Sequence, residues 1–537
     1  MLATANSGTS LSSDAPPRWG WPPVALAAFL LACLSSAAVW FTWQQGWTLY
    51  YGDAEAHLNI ARRVLDSRNP GPGMIGTVWL PLPHLLMLPF VTDNFLWRSG
   101  LAGAIPSALC LVIAGAFLFA AARRELSSNA AGAVAVALFA LNPNVLYLAS
   151  APMTEAVFFA ALAGVLYFTV LFRQTQSLWA GAAAGAAALA GTLTRYEGWF
   201  LIPFVALFFL VAAKRHRILA VFVFGAIASL GPLAWMAHDR WYAADWLSFY
   251  RGPYSAKAIQ GNYSYPGQGD WKTALLYFGW AARWCAGISL FIIGAIGVVA
   301  ALARRAFWPV ALLSLPAIFY LWSIHSSGTP IFVPNLYHSY YNTRYGLAVL
   351  PLVAFGGAAL AGRKGVWAPI AIVLIAIAPW LWNPRPDDWI TWKESLVNST
   401  ARRAWTHEAA VFMRAHYRPG DGVFTSFGDV TGIFREAGIP LNETLTGDNG
   451  LRWQGAVLRP DLMLWEQWAV AVAGDPVQTA MFRAHRRGLR YELVQTIQVK
   501  GAPVIEIYRR QAFPNPYEDS LSESARREER LPADLEK

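Results

Sequence analysis

The chain has 537 residues, 56% of them hydrophobic and only 14% charged, against about 25% charged in an ordinary soluble domain. A wholly water-soluble fold, a disordered chain and a collagen-like repeat are thereby excluded. The net charge of +10 sits in the apolar part: residues 1–382 hold 22 Lys/Arg and 11 Asp/Glu, whereas residues 383–537 hold 20 and 21, so the basic excess speaks of membrane topology and not of nucleic acid.

In chain order, residues 1–20 read as a disordered tail, followed at 23–43 by the first of about eleven apolar runs that approach the ~20 residues a bilayer core requires. The others lie near 99–122, 130–148, 156–172, 178–193, 198–213, 218–237, 284–303, 306–324, 345–361 and 365–382. The first run lacks a small-residue cleavage site and is expected to be retained as a span. The predicted fold class is an all-α polytopic membrane domain of residues 21–382 with a C-terminal soluble α/β domain at 383–514 and a disordered charged tail at 515–537.

With the N-terminus inside, alternate connections carry Arg18; Arg123 and Arg124; Arg173; Lys214, Arg215 and Arg217; Arg304 and Arg305; Arg363 and Lys364. Only Asp14 and Glu125 oppose them, which is the charge bias of cytoplasmic segments. Asp53, Glu55, Asp66, Asp93, Glu155, Glu197, Asp239, Asp245 and Asp270 fall on the other side, as do the long connections 44–98, 238–283 and 325–344. Long structureless connections are usually functional, so chemistry is expected on that outer face.

Four segments there carry candidate residues. In Tyr50-Tyr-Gly-Asp-Ala-Glu-Ala-His57, Asp53 and Glu55 directly follow the first span, and Ala54, Leu58, Ala61 and Leu65 predict an amphipathic helix over 54–65. On a helix two such carboxylates diverge by about 200°, whereas on an extended segment they share one face. Either both hold one cation, or one is catalytic and the other structural. Asp53 suits a general base on a hydroxyl; the alternative is an ordinary helix N-cap, for which a second carboxylate, a His and a Gly beside it would not be needed.

In Ser150-Ala-Pro-Met-Thr-Glu155, Glu155 opens the next helix, a place that also simply suits the helix dipole. In Thr194-Arg-Tyr-Glu-Gly198, Arg195 and Glu197 are expected to form an internal ion pair. In Tyr340-Tyr-Asn-Thr-Arg-Tyr-Gly346, Arg344 stands where an anionic headgroup would arrive, with a fork suited to phosphate; snorkelling to lipid is the plainer alternative. His57, His84 and His338 share this face without metal spacing. Cys33, Cys110 and Cys285 give no disulfide or metal framework. Asn262, Asn398 and Asn442 begin Asn-x-Ser/Thr triplets, and no P-loop, dinucleotide fingerprint or GxSxG is present.

Beyond residue 383 charges recur every few residues. A helix is predicted at 408–416, a strand at 422–427, a helix at 430–437 and a hairpin from 491–499 with 504–510. An odd number of spans places this domain outside.

Together, the four segments over residues from about 20 to 382 resemble the GT-C superfamily of polyprenyl-phosphate-sugar-dependent glycosyltransferases, which includes protein O-mannosyltransferases and lipid A aminoarabinose transferases. The resemblance implies an integral membrane glycosyltransferase that moves a sugar from a polyprenyl-phosphate donor to a hydroxyl of a protein, lipid or glycan acceptor, with inversion. The Ala, Trp and Arg richness fits a bacterial inner membrane, in which the N-terminus is expected to be cytoplasmic and the C-terminal domain periplasmic. Asp53 matches the first-loop acid that deprotonates the acceptor, and Glu55, His84, Glu155, Arg195 and Arg344 are expected to bind substrate. A divalent cation, Mg or Mn, is compatible with the carboxylates and has no assigned ligands. The chain departs from the commonest adjacent Asp-Glu pair by inserting Ala54, which leaves the role of Glu55 open. The rival reading is a transporter or flippase for a lipid-linked or anionic solute; carriers place polar sites near the midplane, often in repeated halves, and neither sign is evident in the sequence.

Overall fold

A computed structural model describes residues 22–261, 263–362 and 365–511. The tails expected at 1–20 and 515–537, together with Arg18, Asn262, Arg363 and Lys364, lie outside the described residues.

Every apolar run is helical, as a backbone without water must satisfy its own polar groups. Helix α1 (Pro22–Gln44) leads into a long connection carrying α2 (Gly52–Leu65) and α3 (Leu82–Val91). Then come α4 (Leu101–Leu126), α5 (Asn129–Ala140), α6 (Pro143–Ala149), α7 (Glu155–Thr175), α8 (Leu178–Thr192), α9 (Glu197–Ala212) and α10 (Arg217–Ala243). After a second long connection follow α11 (Trp271–Ala286), α12 (Ile288–Ala303) and α13 (Phe307–His325). A 3-10 turn at Thr343–Val349 then runs into α14 (Leu350–Leu360), and α15 (Trp367–Trp382) ends the membrane part.

The chain is a multi-pass membrane protein. Among the described residues six helices are long and apolar enough to cross a bilayer, or up to eight spans if each bent pair counts once. Helices α8, α9 and α15 are apolar but only 15 or 16 residues long, short for a core about 30 Å thick. The expectation of about eleven spans therefore exceeds what length and composition alone support.

Two breaks shape the bundle: α5 and α6 meet at 70°, and α11 and α12 at 107°. They satisfy each other. Asn142 Nδ2 donates to the carbonyls of Cys285 at 2.9 Å and Ala286 at 3.3 Å, and Asn144 Nδ2 to Cys285 at 3.0 Å, so carbonyls freed by one break find amides beside the other. Small residues set the closest approach: a Cβ on Gly297 would lie 2.0 Å from the Gly356 carbonyl oxygen, which joins α12 to α14.

The C-terminal part opens with α16 (Ile390–His416), of which the sequence pattern predicted only 408–416. The first half of α16 presents polar residues to the membrane part: Thr391 N donates to Asn144 Oδ1 at 3.0 Å, and Ser395 Oγ meets the Tyr147 hydroxyl at 2.8 Å. A buried face built of Thr and Ser carries no hydrophobic period, so it was invisible to a pattern search. The remaining elements are β1 (Val423–Thr425), α17 (Thr431–Ala437), β2 (Thr444–Leu445), α18 (Leu451–Leu458), β3 (Trp468–Val472), α19 (Pro476–Arg486), β4 (Tyr491–Ile497) and β5 (Ile505–Arg510). They form one sheet in the order β2-β1-β3-β5-β4, parallel across β2, β1 and β3 and antiparallel beyond. The predicted strand, helix and hairpin fall where this sheet has β1, α17 and β4–β5. Its core is shared with the first long connection: Leu58, Met87 and Trp97 pack in one cluster with Met413, Phe434 and Trp468.

Candidate functional site

Helix α2 begins at Gly52, with Tyr51 as its N-cap and no side-chain cap bond, so Asp53 lies inside the first turn and is not the cap. Residues two apart on a helix point apart. The structure accordingly sends Asp53 to Arg344 and Glu55 to the soluble domain. One oxygen of Glu55 pairs with Arg402 Nη1 and the other lies 3.0 Å from Arg435 Nη2. A Cβ on Gly432 would stand 2.4 Å from Glu55 Oε1, so α17 can approach this carboxylate only at glycine.

Arg344 lies in the 3-10 turn that enters α14, seated against α11 because Gly346 rests on the Ala281 carbonyl, where a Cβ would stand 2.4 Å from the oxygen. Its guanidinium is shared by three carboxylates from three elements. Nη2 pairs with Asp53, Nε lies 3.3 Å from Glu155 Oε1, and Nη1 lies 3.6 Å from Glu394 Oε1 on α16. Arg195 extends the network: Nη1 is 3.3 Å from the same Glu155 oxygen and 2.5 Å from Thr154 Oγ1, Nε is 2.7 Å from Glu197, and Nη2 donates to the Tyr320 hydroxyl at 2.6 Å. The Tyr345 ring lies 5.0 Å from the Arg344 guanidinium and 5.2 Å from that of Arg195, a cation–π arrangement.

Asp53, Glu155, Arg195 and Arg344 are therefore one connected network, while Glu55 and His84 lie outside it. Within it, Asp53 alone is open: its side chain is 40% exposed, against 7% for Glu155 and 2% for Glu394. Glu155 Oε2 is buried without a hydrogen-bond partner among the described residues. A buried polar atom without a partner asks for an explanation, and an absent ligand is one.

His84 is fully buried and its Nε2 lies 2.9 Å from His57 Nδ1. His57 follows Asp53 by one helical turn. Burial first, and then the nearby positive charges of Arg344 and Arg195, push its pKa down to about 3, so it stands neutral at ordinary pH.

The residues that sequence reasoning did not assign to the site are Thr154, Tyr320, Tyr345, Glu394 and the pair Arg402 and Arg435. Thr154 and Tyr345 were adjacent to assigned residues in the motifs. Glu394 gave no local signal: it is a lone acid on a helix whose position under Arg344 depends wholly on tertiary structure. There it accepts from the backbone amides of Asn342 at 3.1 Å and Thr343 at 2.7 Å. Burial raises the pKa of its carboxyl, and Arg344 and the Thr343 hydrogen bonds oppose the rise.

The donor set does not fit a resident cation. Among the described residues no group of three or more His, Cys, Asp or Glu side chains is placed to hold a metal, and the facing oxygens of Asp53 and Glu155 are already taken by guanidinium. What the site can do is bind an anion through two forked cations and offer one accessible carboxylate beside it.

Comparison with known proteins was consistent with this architecture. The family described as dolichyl-phosphate-mannose-protein mannosyltransferase matches over residues 86–237. Among solved structures, the chain is similar to ArnT from Cupriavidus metallidurans bound to undecaprenyl phosphate, at 14% identity and a TM-score of 0.53, covering 88% of this chain and 97% of that one. It is likewise similar to ArnT from the same organism in the apo state, at 15% identity and a TM-score of 0.52, covering 90% and 98%. No curated protein matches the sequence. At such identities the likeness is one of fold, and at that level it bears out the GT-C resemblance.

Proposed function

We propose that this chain, a multi-pass membrane protein of the GT-C fold, is a glycosyltransferase that takes its sugar from a polyprenyl-phosphate donor. The observation that carries the reading is the Arg344–Asp53 ion pair, which places a phosphate-seeking fork and an accessible carboxylate at one point. The undecaprenyl phosphate bound to the similar ArnT supports the donor class, and the mannosyltransferase family match supports sugar transfer.

In the proposed step the donor phosphate engages Arg344, with Arg195 behind it, and the isoprenoid lies among the helices. Asp53, released from Arg344, takes the proton of the acceptor hydroxyl. The hydroxyl oxygen bonds to the anomeric carbon while the bond from that carbon to the phosphate oxygen breaks, and the electron pair leaves with polyprenyl phosphate, stabilised by the guanidiniums. Attack opposite the leaving group inverts the anomeric centre. Glu155 Oε2 receives a hydroxyl of the donor sugar. Glu55 and His84, expected as substrate ligands, instead support the fold, Glu55 by tying α2 to the soluble domain and His84 by orienting His57. No step runs through a metal ion. The basic cytoplasmic connections favour a periplasmic site in a bacterial inner membrane. The rival reading, a transporter, gains no observation of its own from the network.

The test is incubation of purified protein with a panel of polyprenyl-phosphate sugars. Release of polyprenyl phosphate from at least one is expected; release from none would remove the transferase reading.

A further inference from the structure

The soluble sheet contains a feature that the network above does not use. Strand β1 runs parallel to β2 on one side and β3 on the other, so the order of strands reverses between β1 and β3. In open α/β sheets ligands bind outside the carboxyl ends of the strands at such a reversal. A cavity of about 260 Å³ lies at this place. Ser426 and Phe427, directly after β1, and Val472, the last residue of β3, form one side; the hairpin turn 501–503 and the α16 residues Asn398 and Arg402 form the other.

This cavity borders the reaction network through two of its walls. Arg402 pairs with Glu55 on α2 and donates to the carbonyl of Tyr50 at 2.9 Å, three residues before Asp53. Asn398 Nδ2 donates to the carbonyl of Tyr340 at 2.8 Å, four residues before Arg344. At the rim stands Asp429, whose carboxylate has no hydrogen-bond or ion-pair partner among the described residues. Burial raises its pKa, Arg402 opposes the rise, and the charges of Glu55 and Asp53 add to it, which places Asp429 within electrostatic reach of the proposed base.

The lining selects a ligand class. The Asp429 carboxylate, the amide oxygen of Asn398 and the Ser426 hydroxyl, which itself donates to Asp475 at 2.9 Å, offer acceptors for neighbouring hydroxyls. Trp405, Pro503 and the Phe427 ring, one face of which the Arg63 guanidinium covers, give apolar lining. The loop from β1 to α17 holds a single glycine, Gly428, not the glycine-rich turn that cradles a pyrophosphate; of the two charged lining residues Arg402 is already paired with Glu55, and Asp429 repels a phosphorylated ligand. We propose that this crevice binds a neutral sugar unit of a glycan acceptor and presents its free hydroxyl toward Asp53. The proposal rests on the transferase reading and names the acceptor class for it.

The test uses the full chain in lipid nanodiscs, with a polyprenyl-phosphate sugar that the release assay shows to be a donor. The acceptor probes are methyl α-mannoside, methyl α-glucoside, methyl α-galactoside and a Ser/Thr hexapeptide. At least one methyl hexoside is expected to accelerate polyprenyl phosphate release over the rate with water alone. Asp429→Asn, and Ala502→Trp at the hairpin turn, which fills the cavity, are each expected to raise its half-saturating concentration at least tenfold. Stimulation by the peptide alone, stimulation by no probe, or an unchanged half-saturating concentration in both variants would overturn the proposal. Saturation-transfer NMR with the same hexosides and no donor separates the two readings. Hexoside binding that Ala502→Trp abolishes, in a protein that releases no polyprenyl phosphate, supports the sugar crevice and sinks the transferase; release without hexoside binding does the reverse.

Discussion

One carboxylate oxygen of Asp53 is occupied by the Arg344 guanidinium. The donor phosphate competes for the same fork, so donor arrival and unmasking of the base become one event in the proposed mechanism. Asp53→Asn should lower transfer by ~10²–10⁴-fold with membrane insertion and thermal unfolding nearly unchanged, because this side chain is the accessible one in the network. Wild-type turnover in that variant would remove Asp53 from the mechanism. Arg344→Lys keeps the charge and loses the fork, and should raise the donor KM at least tenfold while changing the acceptor KM little; equal losses in both would point to a folding defect instead.

His57 supplies a pH signature separate from Asp53. Its folded pKa of about 3 lies below the ordinary imidazole value of 6.5, so below pH 6.5 the unfolded chain binds more protons than the folded one. Stability is then present above pH 6.5 and lost as pH falls toward 3, by at most ~1.4 kcal/mol per pH unit. Buried His84, whose pKa is also held down by burial and by His57 and Arg63, adds to the slope in the same direction, so thermal stability of the wild type should weaken as pH falls below 6.5, and His57→Gln should reduce that slope without abolishing it. At this scale the sequence exposed the types and positions of Asp53, Glu155, Arg195 and Arg344, because each stands at an end of an apolar run. It could not say which partner each would meet, and His57 and Glu394 owe their settings to contacts far away in the chain.

Helix α2 works as a two-sided plate. One face carries Asp53 into the network, and the other carries Glu55 into a buried contact with Arg402 and Arg435. Removing one member of a buried ion group leaves charges without compensation and costs about 3–5 kcal/mol. Glu55→Gln should therefore lower the thermal unfolding temperature far more than Asp53→Asn does, a comparison that differential scanning can make on both proteins. The 3.6-residue period of the helix was readable from Ala54, Leu58 and Ala61, but not that the helix already begins at Gly52, so whether the two acids share a face or diverge stayed open in the sequence. Helix α16 was half legible: its second half buries Trp405, Ala409 and Met413, a readable apolar stripe, while its first half buries Thr391, Glu394 and Ser395, which look like surface residues in a sequence.

Across the whole molecule, the division at residue 383 by composition does not coincide with a division of the packing. The cluster that joins Leu58 and Trp97 to Met413 and Trp468 makes the sheet and the first connection one body, and Glu394 sends a carboxylate from the soluble side under Arg344. A chain ending at residue 382 should retain insertion into the bilayer and lose donor turnover entirely; measurable polyprenyl phosphate release from it would show that the C-terminal part is dispensable. Apolar runs revealed the helices because a bilayer core demands long apolar segments. The bends at Asn142 and Gly287 were not foreseen, since they are settled by amides and carbonyls that meet only in three dimensions.

The contact between Glu55 and Arg402 spans 347 residues of chain. At ribosomal speeds of roughly 5–20 residues per second, the stretch between them takes on the order of tens of seconds to synthesise. During that interval α2 can already pack on the neighbouring elements of the first connection, but Glu55 lacks the two guanidiniums that pair with it. A chain terminated before residue 402 therefore carries a buried carboxylate with no counter-charge, which is expected to leave its first connection loosely held.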